Sequence, residues 1–261
     1  MTWKVYALRY AMRDARRHEH FIGGDPHDAP MPMDYFVWAM VRDGQAIVLD
    51  TGFTEPVARK RARTWLRCPV DSLRLLGVDP DAVEDVVISH LHYDHVGTFH
   101  KFARARFHLQ EAEMHYACGH YMKHRKLRHS FEVEDVAGII RMTYADRVVF
   151  HDGDAELAPG ITLHVAPGHS AGLQCVRVAT ERGQVVLASD VTHYYEHMET
   201  GRPYTTVFHV GGLLDGFDRL RALAPSPAHI VPGHDPEVMR RYPAVPGLAG
   251  IAVELHRDPI A

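Results

Sequence analysis

The sequence predicts a single α/β domain, and three observations carry that prediction. Short apolar runs rich in valine and isoleucine end repeatedly in polar turns, as buried strands do. Segments of helical propensity alternate with them and gather in a helical insert at about 111–145. No repeat, low-complexity tract or linker divides the 261 residues, so 1–261 reads as one domain long enough to bury a real core.

Taken in order, residues 3–8 read as a first strand and 11–33 as a long loop punctuated by Gly23-Gly24-Asp25-Pro26. Residues 35–40 and 45–49 form a hairpin around Arg42-Asp43-Gly44, ending in Asp50-Thr51-Gly52. A helix is predicted over 55–67, with Pro56 tolerated near its start. Its Arg59, Lys60, Arg61 and Arg63 allow two readings, a polyanion partner or a solvated helix face. A second helix over 71–76 stops at Gly77, and 86–88 is a buried strand. Strand 107–109 and helix 111–117 follow, then a basic, His-rich stretch at 118–130 and a helix over 132–142. His120 and His124 have the i, i+4 spacing of a helical pair, a weak metal signal beside surface or pocket-lining roles. Short strands at 147–150, 155–157 and 161–165 precede a hairpin of 172–179 and 184–188. A helix over 213–223, a strand over 229–231 and a helix over 237–241 complete the reading.

Composition bounds the function. Apolar residues are 46% and charged residues 24%, an ordinary globular balance. A formal charge of −4 offers no general attraction to nucleic acid or anionic membrane. No apolar run is long enough to span a membrane, and 1–8 has no signal-peptide pattern. Cys68, Cys118 and Cys175 are scattered and odd in number, which argues against a disulfide framework. A cytoplasmic protein is expected, with no nucleic-acid or membrane partner, acting as a monomer or homodimer.

Histidine is the anomaly, with 21 in the chain. The loop His90-Leu91-His92-Tyr93-Asp94-His95 follows the strand at 86–88 and carries imidazoles and a carboxylate, the ligands that zinc and its neighbours prefer. Three later strand ends resemble it in kind. Pro167-Gly168-His169 and Pro232-Gly233-His234 each present a histidine after a tight turn, and Asp190 closes an apolar run. Glycine before each histidine lets backbone approach without a side chain intervening.

In this ordered set the chain resembles the metallo-β-lactamase superfamily, with its pattern His-x-His-x-Asp-His, then His, Asp and His. The resemblance covers about residues 35–235 and implies an αββα four-layer sandwich, two mixed sheets with helices outside. By carry-over, His90, His92 and His169 would hold one metal, Asp94, His95 and His234 a second, with Asp190 bridging. Two divalent metal ions are expected, zinc by default, with iron, manganese or cobalt suiting the same ligands. Such a pair would make hydroxide available near neutral pH to attack a carbonyl, and Asp94 could handle the leaving-group proton. Asp50 matches a position that orients ligands, or is an ordinary strand-end cap.

Within the superfamily, the chain is most similar to the N-acyl-homoserine-lactonase-like subgroup. Its marks are Ser89-His90-Leu91-His92-Tyr93-Asp94-His95, Pro167-Gly168-His169-Ser170-Ala171-Gly172 and Ser189-Asp190. The resemblance implies a metal-dependent hydrolase opening a lactone ring, N-acyl-homoserine lactone (quorum quenching) being one candidate. The alternative is hydrolysis of another small ester, cyclic amide or thioester. One departure matters. The subgroup often has a tyrosine three residues after the bridging aspartate, to hydrogen-bond the lactone carbonyl. Here that place is His193, followed by Tyr194 and Tyr195, so His193 or Tyr194 is the expected donor beside Asp94. Met31, Met33, Tyr35, Phe36 and Trp38 are candidates to line an acyl pocket, with core packing an equal reading for Phe36 and Trp38.

Overall fold

Strands form where the apolar runs lie, and alternation along each strand decides which layer a side chain joins. The computed structural model describes residues 2–260. Its strands are β1 (Lys4–Arg13), β2 (Met33–Arg42), β3 (Gln45–Leu49), β4 (Thr64–Trp65), β5 (Asp85–Val87), β6 (Arg106–Gln110) and β7 (Val148–His151). Then come β8 (Ala155–Ala158), β9 (Ile161–Val165), β10 (Gln174–Thr180), β11 (Gly183–Ser189), β12 (Ile230–Pro232) and β13 (Ala252–Glu254).

One sheet runs β13-β1-β2-β3-β5-β6-β7, with β4 added on β1; the other runs β12-β11-β10-β9-β8. Both are mixed: β3, β5, β6 and β7 pair in parallel, as do β11 and β12, while the other pairs are antiparallel. Because successive side chains point to opposite faces, Val87 enters the core between the sheets and Val86 the outer layer. Likewise Val185 and Leu187 face inward beside Trp38, while Val186 and Ala188 face the outer helix Val210–Leu223 through Leu213 and Phe217. On the first sheet the outer layer includes Ala58, Val136 and Ile139 from helices. The result is the expected four-layer αββα sandwich.

Several local expectations change. β1 continues to Arg13, and Arg17–His20 forms a helical turn, so the predicted 11–33 loop is shorter. The helix predicted over 55–67 ends at Lys60. Ala62 turns into the left-handed region at φ 52°, and Thr64–Trp65 joins β1, where Trp65 packs on Tyr10 and Phe53. Arg61 is no solvated residue, since its guanidinium binds Glu132 at 2.8 Å and lies 3.9 Å from the centre of the Tyr93 ring. Residues 71–76 are a 3-10 helix, stopped by Gly77 at φ 74° as expected. β13 had no sequence signal; it pairs with β1.

Residues 111–145 are helical in pieces: Glu111–Ala117, a 3-10 turn His120–Lys123, Arg125–Arg128 and Val133–Tyr144. His120 and His124 therefore share no α-helical face, and both are exposed.

Asp135, in the first turn of helix Val133–Tyr144, has a buried carboxylate oxygen with no partner. Burial first, then Glu132, pushes its carboxyl up to about 6. The folded protein holds this proton above the pH at which the unfolded chain releases it, so the cost to stability is absent below about pH 4, grows up to about pH 6 and is complete above that. Asp135→Asn should therefore raise the unfolding free energy by about 1–2 kcal/mol at pH 8, the helix N-terminus offsetting part of the gain, and leave it unchanged at pH 4. Denaturant melts at the two pH values check this; equal effects at both would reject it.

Candidate metal centre

Loops leaving the carboxyl ends of β5, β9, β11 and β12 meet at one end of the sandwich and bring in the candidate ligands, with Asp50 at the end of β3 beside them. Two strand ends are strained: Asp50 after β3 and Ser189 at the end of β11 have φ of 63° and 46°. A non-glycine residue holds such a conformation only where its surroundings over-determine it. Here Asp50 accepts the Ser89 amide (2.7 Å) and hydroxyl (2.8 Å) and the Ser189 hydroxyl (3.4 Å), and it meets His95 Nδ1 at 2.7 Å. It orients a histidine, which a plain strand cap would not do. Gly233 is required by crowding, because a Cβ there would lie 2.6 Å from Ser189 O and 2.7 Å from Asp190 Oδ1. At Gly168 a Cβ would meet the Leu213 amide nitrogen at 2.3 Å.

The seven candidates His90, His92, Asp94, His95, His169, Asp190 and His234 come together, and all are buried. Three groups form within them: His90, His92 and His169; Asp94, His95 and His234; and His90, His95 and Asp190. His169 Nε2 lies 3.1 Å from His90 Nε2 and 2.9 Å from His92 Nδ1. Asp190 stands between the groups. Its Oδ2 is 3.1 Å from His169 Nε2 and 3.9 Å from His90 Nε2, and its Oδ1 is 3.1 Å from His234 Nε2 and 3.4 Å from His95 Nε2. Asp94 Oδ2 sits 3.7 Å from His234 Nε2 and 3.8 Å from His95 Nε2.

The outer nitrogens are spoken for. His169 Nδ1 donates to Thr206 O at 2.7 Å, and His234 Nδ1 to Asp34 O at 2.9 Å. His90 Nδ1 meets the Ser89 hydroxyl at 3.0 Å. Each such bond leaves the Nε2 lone pair pointing inward, the arrangement of a metal-binding histidine. Burial, reinforced by neighbouring imidazoles, holds His90 and His92 far below the ordinary range, and burial holds His169 down to about 3. Neutral imidazoles are the ligand form. For His95, burial is outweighed by Asp190, Asp50 and Asp94, which raise it; at His234, Asp190 outweighs burial in the same way.

The residues fit a pair of divalent cations. Inward lone pairs 2.9–3.1 Å apart repel one another unless a cation lies between, and tetrahedral zinc sets its ligands about 3.3 Å apart. His95 Nε2 and Asp190 Oδ1 are buried without a hydrogen-bond partner, a costly state that a cation would relieve.

Of the expected substrate donors, only His193 reaches the centre. Its Nε2 is 2.9 Å from Asp190 Oδ2, its ring stacks on Tyr204 at 3.7 Å, and burial lowers it to about 4. Tyr194 does not reach it. The backbone at Tyr194 is extended, which turns consecutive side chains opposite ways, so its hydroxyl donates to Pro32 O at 3.0 Å. Tyr195 joins the core between the sheets, as do Phe36 and Trp38, which leaves Met33 and Tyr35 alone of the proposed acyl-pocket residues lining the site.

Glu113 was missed. Its buried carboxylate accepts the amides of Leu91 and Gly172, each at 2.9 Å, and the Ser170 hydroxyl, tying the His90–His92 loop to the His169 loop. A carboxylate inside a predicted helix carries no sequence mark of this role. The Tyr204 hydroxyl, which donates to Asp190 O, had no mark either.

Comparison with known proteins agrees with this geometry. The model of the Metallo-beta-lactamase superfamily matches residues 32–234. The N-acyl homoserine lactonase AiiA of Bacillus thuringiensis subsp. kurstaki is 31% identical over 138 residues, 52% of this chain and 49% of that protein, so the chain spans about half the length of that relative. The N-acyl homoserine lactonase AttM of Azorhizobium caulinodans is 29% identical over 191 residues, 68% of each protein. Among solved structures, an N-acyl homoserine lactone hydrolase with N-hexanoyl-L-homoserine at its catalytic metal centre superposes with TM-score 0.77 at 22% identity, over 94% of this chain and 99% of the other. The dizinc quorum-quenching lactonase AidC gives 0.70 at 16% identity, over 89% and 87%. These two likenesses are of fold. With most of its length matched by one family model and the ligand pattern assembled at one end of the expected sandwich, the chain belongs to the metallo-beta-lactamase superfamily.

Proposed function

We propose that the protein is a metal-dependent hydrolase that opens a lactone ring. The observation that carries the reading is Asp190, buried between two histidine groups with one oxygen toward each. The lactonase relatives support the choice of ester chemistry. His90, His92 and His169 would hold one divalent ion, Asp94, His95 and His234 the other, and Asp190 both. Zinc suits this nitrogen and oxygen set best, with iron, manganese and cobalt also compatible. When bound, the ions supply Lewis acidity and an activated water near neutral pH.

The chain's own groups do the rest. Asp94 Oδ2 faces the second group from a pocket-lining position, placed to pass a proton to the leaving alkoxide. His193 also lines that pocket, where its ring can donate to the substrate carbonyl in place of the subgroup's tyrosine. Glu113 and Asp50 hold the ligand loops in place. N-acyl-homoserine lactone is one candidate substrate, and another small ester, cyclic amide or thioester is the alternative. The free thiols Cys68, Cys118 and Cys175 are consistent with a reducing cytoplasm. Among the described residues no helix is long and apolar enough to cross a membrane.

Elemental analysis should find close to two divalent ions per chain, and removing them with a chelator should abolish lactone hydrolysis, with recovery on adding zinc. A metal-free chain that kept full activity would overturn the reading. A panel of lactones, esters and thioesters on the loaded protein then decides the substrate class.

A further inference from the structure

The pocket over the ligand cluster, about 180 Å³, is lined by Arg13, Arg61 and Arg63 as well as by His92, Asp94 and His193. The same three arginines line an adjoining hollow of about 790 Å³, together with Lys60, Arg125 and Arg128. Six cations thus line a hollow whose one lining carboxylate is Glu132, which Lys60 and Arg61 already bind at 2.6 and 2.8 Å, while Arg13 pairs with Glu19 outside the lining. This stands against a chain whose formal charge is −4. Two basic stretches far apart in sequence, 59–63 and 125–128, converge on one entrance.

The arrangement is built rather than incidental. The Arg61 side chain is 10% exposed, held by Glu132, by His129 O at 2.9 Å and by the Tyr93 ring. Arg63 donates through Nε to the Tyr93 hydroxyl at 3.1 Å, on the residue between His92 and Asp94. Among the described residues neither Arg125 nor Arg128 forms an ion pair, and both are exposed. A solvated helix face would not bury Arg61 or aim Arg63 at the ligand loop. The linings include few apolar groups to receive a long hydrocarbon tail, chiefly Met33, Phe131 and Val133.

We propose that the substrate is an anionic lactone or ester, whose ring or ester enters the inner pocket while a carboxylate or phosphate seats among the arginines of the outer hollow. This rests on the hydrolase reading and names its substrate class. Guanidinium groups bind such oxyanions bidentately, and a cleft of one sign concentrates ligands of the other. The narrowing from hollow to pocket fits a small molecule, with a polyanionic macromolecule as the contrary outcome.

The test uses the zinc-loaded chain and two compounds: N-glutaryl-homoserine lactone, with a free carboxylate on its acyl arm, and its uncharged primary amide. Non-hydrolysable lactam analogues of both serve for calorimetry. The charged lactam should bind at least about tenfold tighter, and the advantage should shrink as salt rises from about 50 to 500 mM. Arg125→Glu/Arg128→Glu should lower the charged-to-uncharged ratio of both affinity and kcat/KM by about tenfold, and the milder Arg125→Gln should lower it less. Equal binding of the two lactams, or a preference that survives in the double variant, would overturn the proposal. So would tight heparin binding without any preference for the charged lactam. A charged preference in binding with neither lactone hydrolysed would sink the lactonase reading and leave this one standing. Equal hydrolysis of both lactones would do the reverse.

Discussion

Asp190→Ala is expected to lose both bound metal and activity, with turnover falling at least about a thousandfold. Two divalent ions would bring four positive charges into a site whose candidate anionic ligands, among the described residues, are Asp94 and Asp190. Asp190 is the one placed between the groups, with Oδ1 at 3.1 Å from His234 and Oδ2 at 3.1 Å from His169. Removing it leaves imidazoles alone on the His90 side and one carboxylate on the other, so the mutual repulsion of the ions loses its main screen. Asp190→Asn separates charge from shape, because it keeps the volume and one oxygen. We expect it to retain less than one metal per chain while keeping the native circular dichroism. Two metals per chain with unaltered turnover in Asp190→Ala would show that Asp190 bridges nothing.

Glu113→Gln should weaken metal retention by about 10–100-fold although Glu113 touches no ligand side chain. Its carboxylate takes three donors, from Leu91, Ser170 and Gly172, and an amide in its place must turn a donor toward one of them. Hydrogen bonds to a charged acceptor contribute about 1.5–3 kcal/mol, so the apo protein should also lose about that much stability. Competition against a graded series of chelators reads the first effect, and thermal melts with and without zinc read the second. A merely structural role would lower both melts equally and leave the chelator competition unmoved. Gly172 explains why the clamp is tight: a Cβ there would lie 2.2 Å from the Glu113 amide nitrogen.

Most of the ligand set was legible because it is local. His90, His92, Asp94 and His95 share one loop after one strand, and His169, Asp190 and His234 are marked by their order at later strand ends, which resembles the family pattern, rather than by any one of them alone. Strands were legible for a related reason, since alternation and turn residues act over a few positions. Here the Asp43-Gly44 turn joins β2 to β3, with φ of 50° and 81°.

What only the tertiary structure decided lies in contacts between distant segments, which leave no periodic trace. Glu113 reaches loops on both sides of it in sequence, and nothing in Glu111–Ala117 distinguishes it from the exposed Glu111. The helix predicted over 55–67 stops early because Trp65 gains more by packing on Tyr10 and Phe53 than by continuing a helical turn. Tyr194 carried the chemistry expected of a substrate donor, but an extended backbone gave the pocket to His193 instead. In sequence the basic stretch at 59–63 allowed a polyanion partner or a solvated helix face, and that at 118–130 surface or pocket-lining roles; only the packing of Glu132 between Lys60 and Arg61 sets them on one rim. Sequence therefore determined which chemistry the chain can hold, because four candidate ligands share one loop and the other three follow in order at later strand ends. Tertiary structure decided what approaches that chemistry, because charge at an entrance is a sum over segments that meet only when the sheets close.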